Sequence, residues 1–118
     1  MGHVLLIDDD TAIGELLVDV LADGGHTTDL VTTLEAAANG RPADVIVADL
    51  VGIHEFRAEA ARGFIRRLRG EFHGAPIIVC TAHRDASHVD IGADHVITKP
   101  FDVDHLLACV ERFARRAD

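Results

Sequence analysis

The sequence predicts an α/β fold, a single parallel sheet covered by helices on both sides. Two observations carry this. Short apolar runs at residues 4–7, 45–48 and 77–80 are continuous rather than alternating, as in strands buried on both faces, and a fourth stretch, His95-Val96-Ile97-Thr98, delivers Lys99. Between them lie stretches whose apolar residues recur at the helical period. Strands alternating with helices give a parallel sheet. Right-handed crossovers then favour a doubly wound order, 2-1-3-4-5, with a switch point between strands 1 and 3.

The elements follow in order. The first strand covers about residues 3–7. A helix starts near Thr11, with Ile13, Leu16, Leu17, Val20 and Leu21 on one face and Gly24-Gly25 as its stop. Asp10 is placed to cap it. Residues 26–31 form a more polar strand, expected at the sheet edge. A small Ala-rich helix is expected over 33–39, ended by Gly40 and Pro42. The central strand ends in Asp49. Residues 50–62 lack proline or a clear turn signal and read as a loop leading into a helix that begins at Arg57 or Ala60 and ends at Glu71. Its core face is Phe64, Ile65, Leu68 and Phe72, despite Gly63. Arg66, Arg67 and Arg69 read as its solvated face. After the fourth strand, residues 83–94 hold only Val89 and Ile91 as large apolar residues, so any fourth helix is short. The last helix, 102–116, buries Val103, Leu106, Leu107, Val110 and Phe113, with Asp102 as its cap.

Composition bounds the function. The length of 118 residues suits one domain, 1–118, and 48% hydrophobic residues are enough for a core. A net charge of −9 leaves no basic footprint for direct nucleic-acid binding. The apolar runs are too short to span a membrane, and the N-terminus lacks a signal-peptide pattern, so a cytoplasmic location is the expectation. Cys80 and Cys109 have no CxxC spacing and read as buried thiols of a reducing compartment. The eight histidines, His83, His88 and His95 included, fit no compact zinc motif by spacing.

The chemistry lies where the strands end. In a parallel sheet Asp8, Asp9, Asp49, Thr81 and Lys99 all reach the carboxyl edge, where such sheets bind ligands. Lys99 is the only lysine beside ten arginines; a compact ammonium suits a point contact with a phosphate oxygen. Clustered carboxylates repel unless a cation neutralises them. Mg²⁺ accepts two carboxylates and a backbone carbonyl while keeping waters. A free carboxylate oxygen can then attack phosphorus, with Thr81 and Lys99 stabilising the phosphoryl oxygens. An acyl phosphate on Asp49 is the concrete expectation. Singly, Asp8 or Thr81 reads as a cap or turn residue; the set carries the argument.

Four pieces in order complete this picture: residues 4–10, the strand ending Asp49-Leu50, residues 76–82, and residues 92–101 with Lys99-Pro100. Together they resemble the receiver domain of bacterial two-component response regulators, over essentially the whole chain. The resemblance implies a flavodoxin-like (βα)5 fold. It implies that Asp49 takes a phosphoryl group from a histidine kinase or phosphotransfer protein, and that a downstream protein target reads the change. Asp8, Asp9, Asp49 and the Val51 carbonyl would hold Mg²⁺. Thr81 and Lys99 would contact the phosphoryl group, and the Lys99-Pro100 bond would be cis. The chain would be a signalling module, promoting only its own phosphorylation and slow dephosphorylation, rather than an enzyme with turnover.

The departures from the family pattern also carry expectations. Val96 stands where the family's switching aromatic usually does. The segment from Thr81 to Lys99 is short by about one helical turn, ~4 residues, which predicts a shortened fourth helix. The loop and helix after Asp49 are longer than usual, and Gly52-Ile53-His54-Glu55 replaces a usual proline and glycine. Output is therefore expected through the region after Asp49 or through the first helix. Val51 and His83 occupy the positions that tune water attack; an apolar Val51 predicts slow self-dephosphorylation. Two alternatives stand beside this reading. One is a receiver-like interaction module that is never phosphorylated. The other is a haloacid-dehalogenase-like phosphatase with Asp8 as nucleophile, half-matched by Asp8-Asp9-Asp10-Thr11 but with Ala12 in place of the motif's Thr.

Overall fold

Alternate residues of a strand point to opposite faces, so a strand apolar throughout needs cover on both sides. The chain meets that need with β1 His3–Ile7, α1 Thr11–Asp23, β2 Thr27–Val31, α2 Leu34–Ala37, β3 Val45–Ala48, α3 Ala58–Glu71, β4 Ile77–Thr81, β5 His95–Thr98 and α4 Val103–Ala117. A single 3-10 turn, Arg84–Ser87, lies between β4 and β5. The structure, a computed structural model, describes residues 2–37 and 42–117, with side chains through Ala114. The five strands are parallel, in the order β2-β1-β3-β4-β5.

Strand parity divides the interior into two cores. Leu5, Ile7, Ile46, Ile77 and Val79 pack with Leu34, Phe64, Ile65 and Leu68 on the α2 and α3 side. Val4, Leu6, Val45, Val47, Ile78 and Ile97 pack with Leu17, Leu21, Leu106, Val110 and Phe113 on the α1 and α4 side. Each fully buried large aliphatic side chain contributes roughly 1.5–3 kcal/mol.

The caps follow local chemistry. Asp10 caps α1 as expected, its carboxylate accepting from the Ile13 N–H at 3.2 Å. Thr33 accepts from the Ala36 N–H at 3.1 Å at the start of α2. The expected end of that helix, at Asn39 and Gly40, lies outside the described residues. Asp102 accepts from the Asp104 N–H at 2.9 Å, capping α4. The turn after Asp49, in a stretch without proline, is made by Gly52 at φ +82°, a conformation glycine adopts without strain.

One expectation is sharpened and two are corrected. The shortened fourth helix is reduced to the 3-10 turn Arg84–Ser87, so the described residues hold four α-helices where a (βα)5 pattern has five. The segment buries only Ala86 and Ile91, while Val89 is 40% exposed. Too little apolar surface is covered to hold an isolated turn or two of α-helix. In α1, the helical period puts Leu16 on the core face, but it is 54% exposed. Gly14 is buried instead: a Cβ there would lie 2.8 Å from Leu30 Cδ1, so the helix sits close to β2 on its glycine side and Leu16 turns outward. Finally, Arg69 is not merely solvated. Its guanidinium donates to the Gly92 carbonyl at 2.7 Å and pairs with Asp94 at 3.1 Å.

Candidate functional site

The sheet brings the ends of β1, β3, β4 and β5 to one edge, and each end is pinned by its neighbour's backbone. The Asp8 N–H donates to Val31 O at 3.0 Å and the Asp49 N–H to Ile7 O at 2.8 Å. The Lys99 N–H donates to Thr81 O at 2.7 Å. The side chains of Asp8, Asp49 and Lys99 therefore converge without depending on flexible loops.

Lys99 is the centre of the cluster. Its Nζ lies 3.1 Å from Asp8 Oδ2 and 3.1 Å from Asp49 Oδ2. The other oxygens are held by backbone donors, Asp8 Oδ1 by the Asp10 N–H at 2.9 Å and Asp49 Oδ1 by the Leu50 N–H at 2.8 Å. Burial alone would depress the Lys99 pKa. The Asp49 charge and the hydrogen bonds to both carboxylates outweigh it, holding the ammonium above the usual lysine range. Desolvation pushes the neighbouring Cys80 thiol up to about 12, so this buried cysteine stays protonated and takes no part in the site as a thiolate.

Asp8, Asp9 and Asp49 each offer a carboxylate oxygen, and these oxygens lie within 4.8 Å of one another. The donor set is hard oxygen throughout, and Lys99 offsets only part of three negative charges. These residues fit a hard divalent cation such as Mg²⁺. Asp9 is exposed, Asp8 nearly fully buried and Asp49 intermediate.

Thr81, at the end of β4, is fully buried; its Oγ1 accepts from the His83 N–H at 3.1 Å, and the hydroxyl keeps its own proton to donate. Val51 begins the turn after Asp49 and packs half-buried against the core. The Lys99-Pro100 bond is cis, as the resemblance implied. One link across the site leaves no signal in the sequence. His83 Nε2 lies 2.9 Å from the Ile53 carbonyl, and its ring lies 6.1 Å from that of Phe56. The loop after β4 is thereby tied to the loop after β3 across 30 residues of sequence, and no local pattern signals such a contact. Beside the carboxylates a cleft of about 590 Å³ opens between Asp9, Thr33, Ile53, His54, Phe64 and Arg67.

Comparison with known proteins agrees with this geometry. The family model described as the response regulator receiver domain matches residues 4–111. The response regulator MprA of Mycobacterium sp. (strain KMS) is 34% identical over 122 residues, covering 97% of this chain and 51% of that protein. The chain thus spans about half the length of the curated relatives it matches. Among solved structures, the Francisella response regulator 1452 receiver domain superposes with a TM-score of 0.80 at 24% identity, covering 100% of both chains. That likeness establishes the fold. The BeF3-activated DrrB receiver domain gives 0.74 at 29% identity, covering 98% of this chain and 99% of that one. Since the family match runs through every strand described above and ends within α4, the chain belongs to the response regulator receiver domains of two-component signalling.

Proposed function

We propose that Asp49 is the phosphoacceptor, taking a phosphoryl group from the phosphohistidine of a histidine kinase or phosphotransfer protein, and that a downstream protein reads the result. The observation that carries this is the bridging ammonium: Lys99 Nζ stands 3.1 Å from both Asp8 and Asp49. Between those two carboxylates, exposure favours Asp49, whose side chain is 18% accessible against 3% for Asp8. Asp49 is thus the more accessible to a donor, which favours it over Asp8 as the nucleophile.

In the transfer, a carboxylate oxygen of Asp49 forms a bond to phosphorus as the phosphorus–nitrogen bond of the donor breaks. The electron pair of that bond returns to the imidazole nitrogen. The backbone N–H of Leu50 and the Lys99 ammonium orient the carboxylate beforehand. Lys99 can then follow the charge onto a phosphoryl oxygen. Thr81 can donate to the same group once the segment that begins at Ala82 moves, because its hydroxyl is buried. Mg²⁺, held by Asp8, Asp9, Asp49 and the Val51 carbonyl, would neutralise the carboxylates and the incoming phosphoryl oxygens. An apolar Val51 cannot orient a water, and the His83 ring is engaged with Ile53 O, so loss of the phosphoryl group is expected to be slow. Output through the region after β3 is supported by the cleft that adjoins Asp9 and Ile53.

The test is intact-mass measurement after incubation with acetyl phosphate and Mg²⁺, with peptide mapping of the adduct. One phosphoryl group is expected on the Asp49 peptide. It should be absent in Asp49→Ala and present, more slowly formed, in Asp8→Ala. Label on the Asp8 peptide would refute the assignment, and no Mg²⁺-dependent label from any small donor or kinase would favour an unphosphorylated interaction module.

A further inference from the structure

A second group of side chains with metal-donor atoms lies where β5 begins, at the end of the strand opposite Lys99. His95 opens β5, and its ring is on the α4 side, as strand parity requires for a residue two before Ile97. His105 and Cys109 stand one helical turn apart on α4, a spacing that presents two donors on one face. One donor atom from each of His95, His105 and Cys109 lies within 4.8 Å of the others. Cys109 Sγ is 3.8 Å from His105 Nε2, and the two imidazole centroids are 6.0 Å apart. In a tetrahedral zinc site, sulfur and nitrogen ligands are separated by about 3.6 Å, from bond lengths of about 2.3 and 2.05 Å. The helical pair is close to this spacing, and His95 offers a donor within 4.8 Å of both.

We propose that His95, His105 and Cys109 form a binding site for a borderline-soft divalent cation of the zinc class, separate from the hard-oxygen site around Asp49. Two imidazoles and a thiolate select such an ion over Mg²⁺, just as the three carboxylates do the reverse. On binding, the Cys109 S–H bond gives its proton to solvent and a sulfur–metal bond replaces it; water takes the fourth position. The Arg112 guanidinium, close enough for its charge to act on His95, opposes a nearby cation, and the Cys109 thiolate offsets that charge. The site joins the start of β5 to α4, across sheet and helix, along the edge that carries Lys99 at its far end, about 13 Å away along the strand.

Titration of the purified chain with Co²⁺, in excess Mg²⁺, tests the proposal. One equivalent should produce a thiolate-to-Co²⁺ charge-transfer absorption that Zn²⁺ abolishes by displacement. Cys109→Ser should remove it. His95→Gln and His105→Gln should weaken Co²⁺ binding about tenfold or more. Cys80→Ser and Asp49→Asn should leave the band unchanged. His105 is exposed, so its variant keeps the fold, verified by circular dichroism, and remains decisive if Cys109→Ser fails to fold. The proposal is overturned if no thiolate band forms at millimolar Co²⁺. It is equally overturned if the band survives Cys109→Ser, ignores His105→Gln, or disappears with Asp49→Asn.

Discussion

Two crossovers feed the same site by different means. Between β3 and β4 the chain builds α3, fourteen residues that bury Ala61, Phe64, Ile65 and Leu68, with Phe72 just beyond. Between β4 and β5 it builds only the 3-10 turn, with Ala86 and Ile91 buried. The poorer crossover is held by the richer one through polar bonds. Arg62 Nε donates to Asp90 O at 2.8 Å, Arg69 to Gly92 O at 2.7 Å, and the Asp94 carboxylate accepts both from Arg69 at 3.1 Å and from the Ile77 N–H at 2.8 Å. Where apolar burial is scarce, side-chain bonds to backbone carbonyls take over the placement of the strand that delivers Lys99.

The largest expected effect breaks the rich side. Leu68→Ala removes a side chain with no exposed surface and should cost about 3 kcal/mol in urea unfolding. A loss near zero would mean that α3 is not what anchors this half of the sheet.

The next acts where the two crossovers meet. Lys99→Met leaves Asp8 and Asp49 facing each other without their cation. A fully buried broken pair costs about 3–5 kcal/mol; solvent at this half-open site reduces the expectation to about 1–2 kcal/mol. The ammonium competes for the carboxylate oxygens, so Mg²⁺ affinity should rise in the variant. The pH dependence has a defined sign. The Lys99 pKa is raised in the folded state, so its stabilisation is complete below the ordinary lysine value of about 10.4 and fades as pH rises through the folded value. The stability gap between wild type and Lys99→Met should therefore stay constant from neutral pH to about 10 and narrow above it. A gap that narrows on acidification to pH 6 would contradict this assignment.

The smallest effect sharpens the comparison. Arg69→Ala should cost about 1 kcal/mol or less globally, because the Arg69–Asp94 pair is largely exposed. Its local effect should be clear, with faster amide hydrogen exchange across residues 90–95 and little change in α3. Exchange that rises evenly along the chain would show that these bonds do not hold the segment in place.

How much was legible from sequence follows from what each feature depends on. Continuous apolar runs ending in Asp8, Asp49, Thr81 and Lys99 are local patterns, and the handedness of crossovers converts them into strand order and a shared edge. The caps at Asp10 and Asp102 are equally local. Other features were settled only by tertiary contact: Leu16 turned outward because Gly14 lies against Leu30, Arg69 drawn to Gly92 and Asp94, and His83 joined to Ile53. The convergence of His95 with His105 and Cys109 belongs with them, since a zinc motif read by spacing cannot register donors split between a strand and a helix. Periodicity reports which face of an element is apolar; only the packed molecule decides which distant element meets that face, and at what distance.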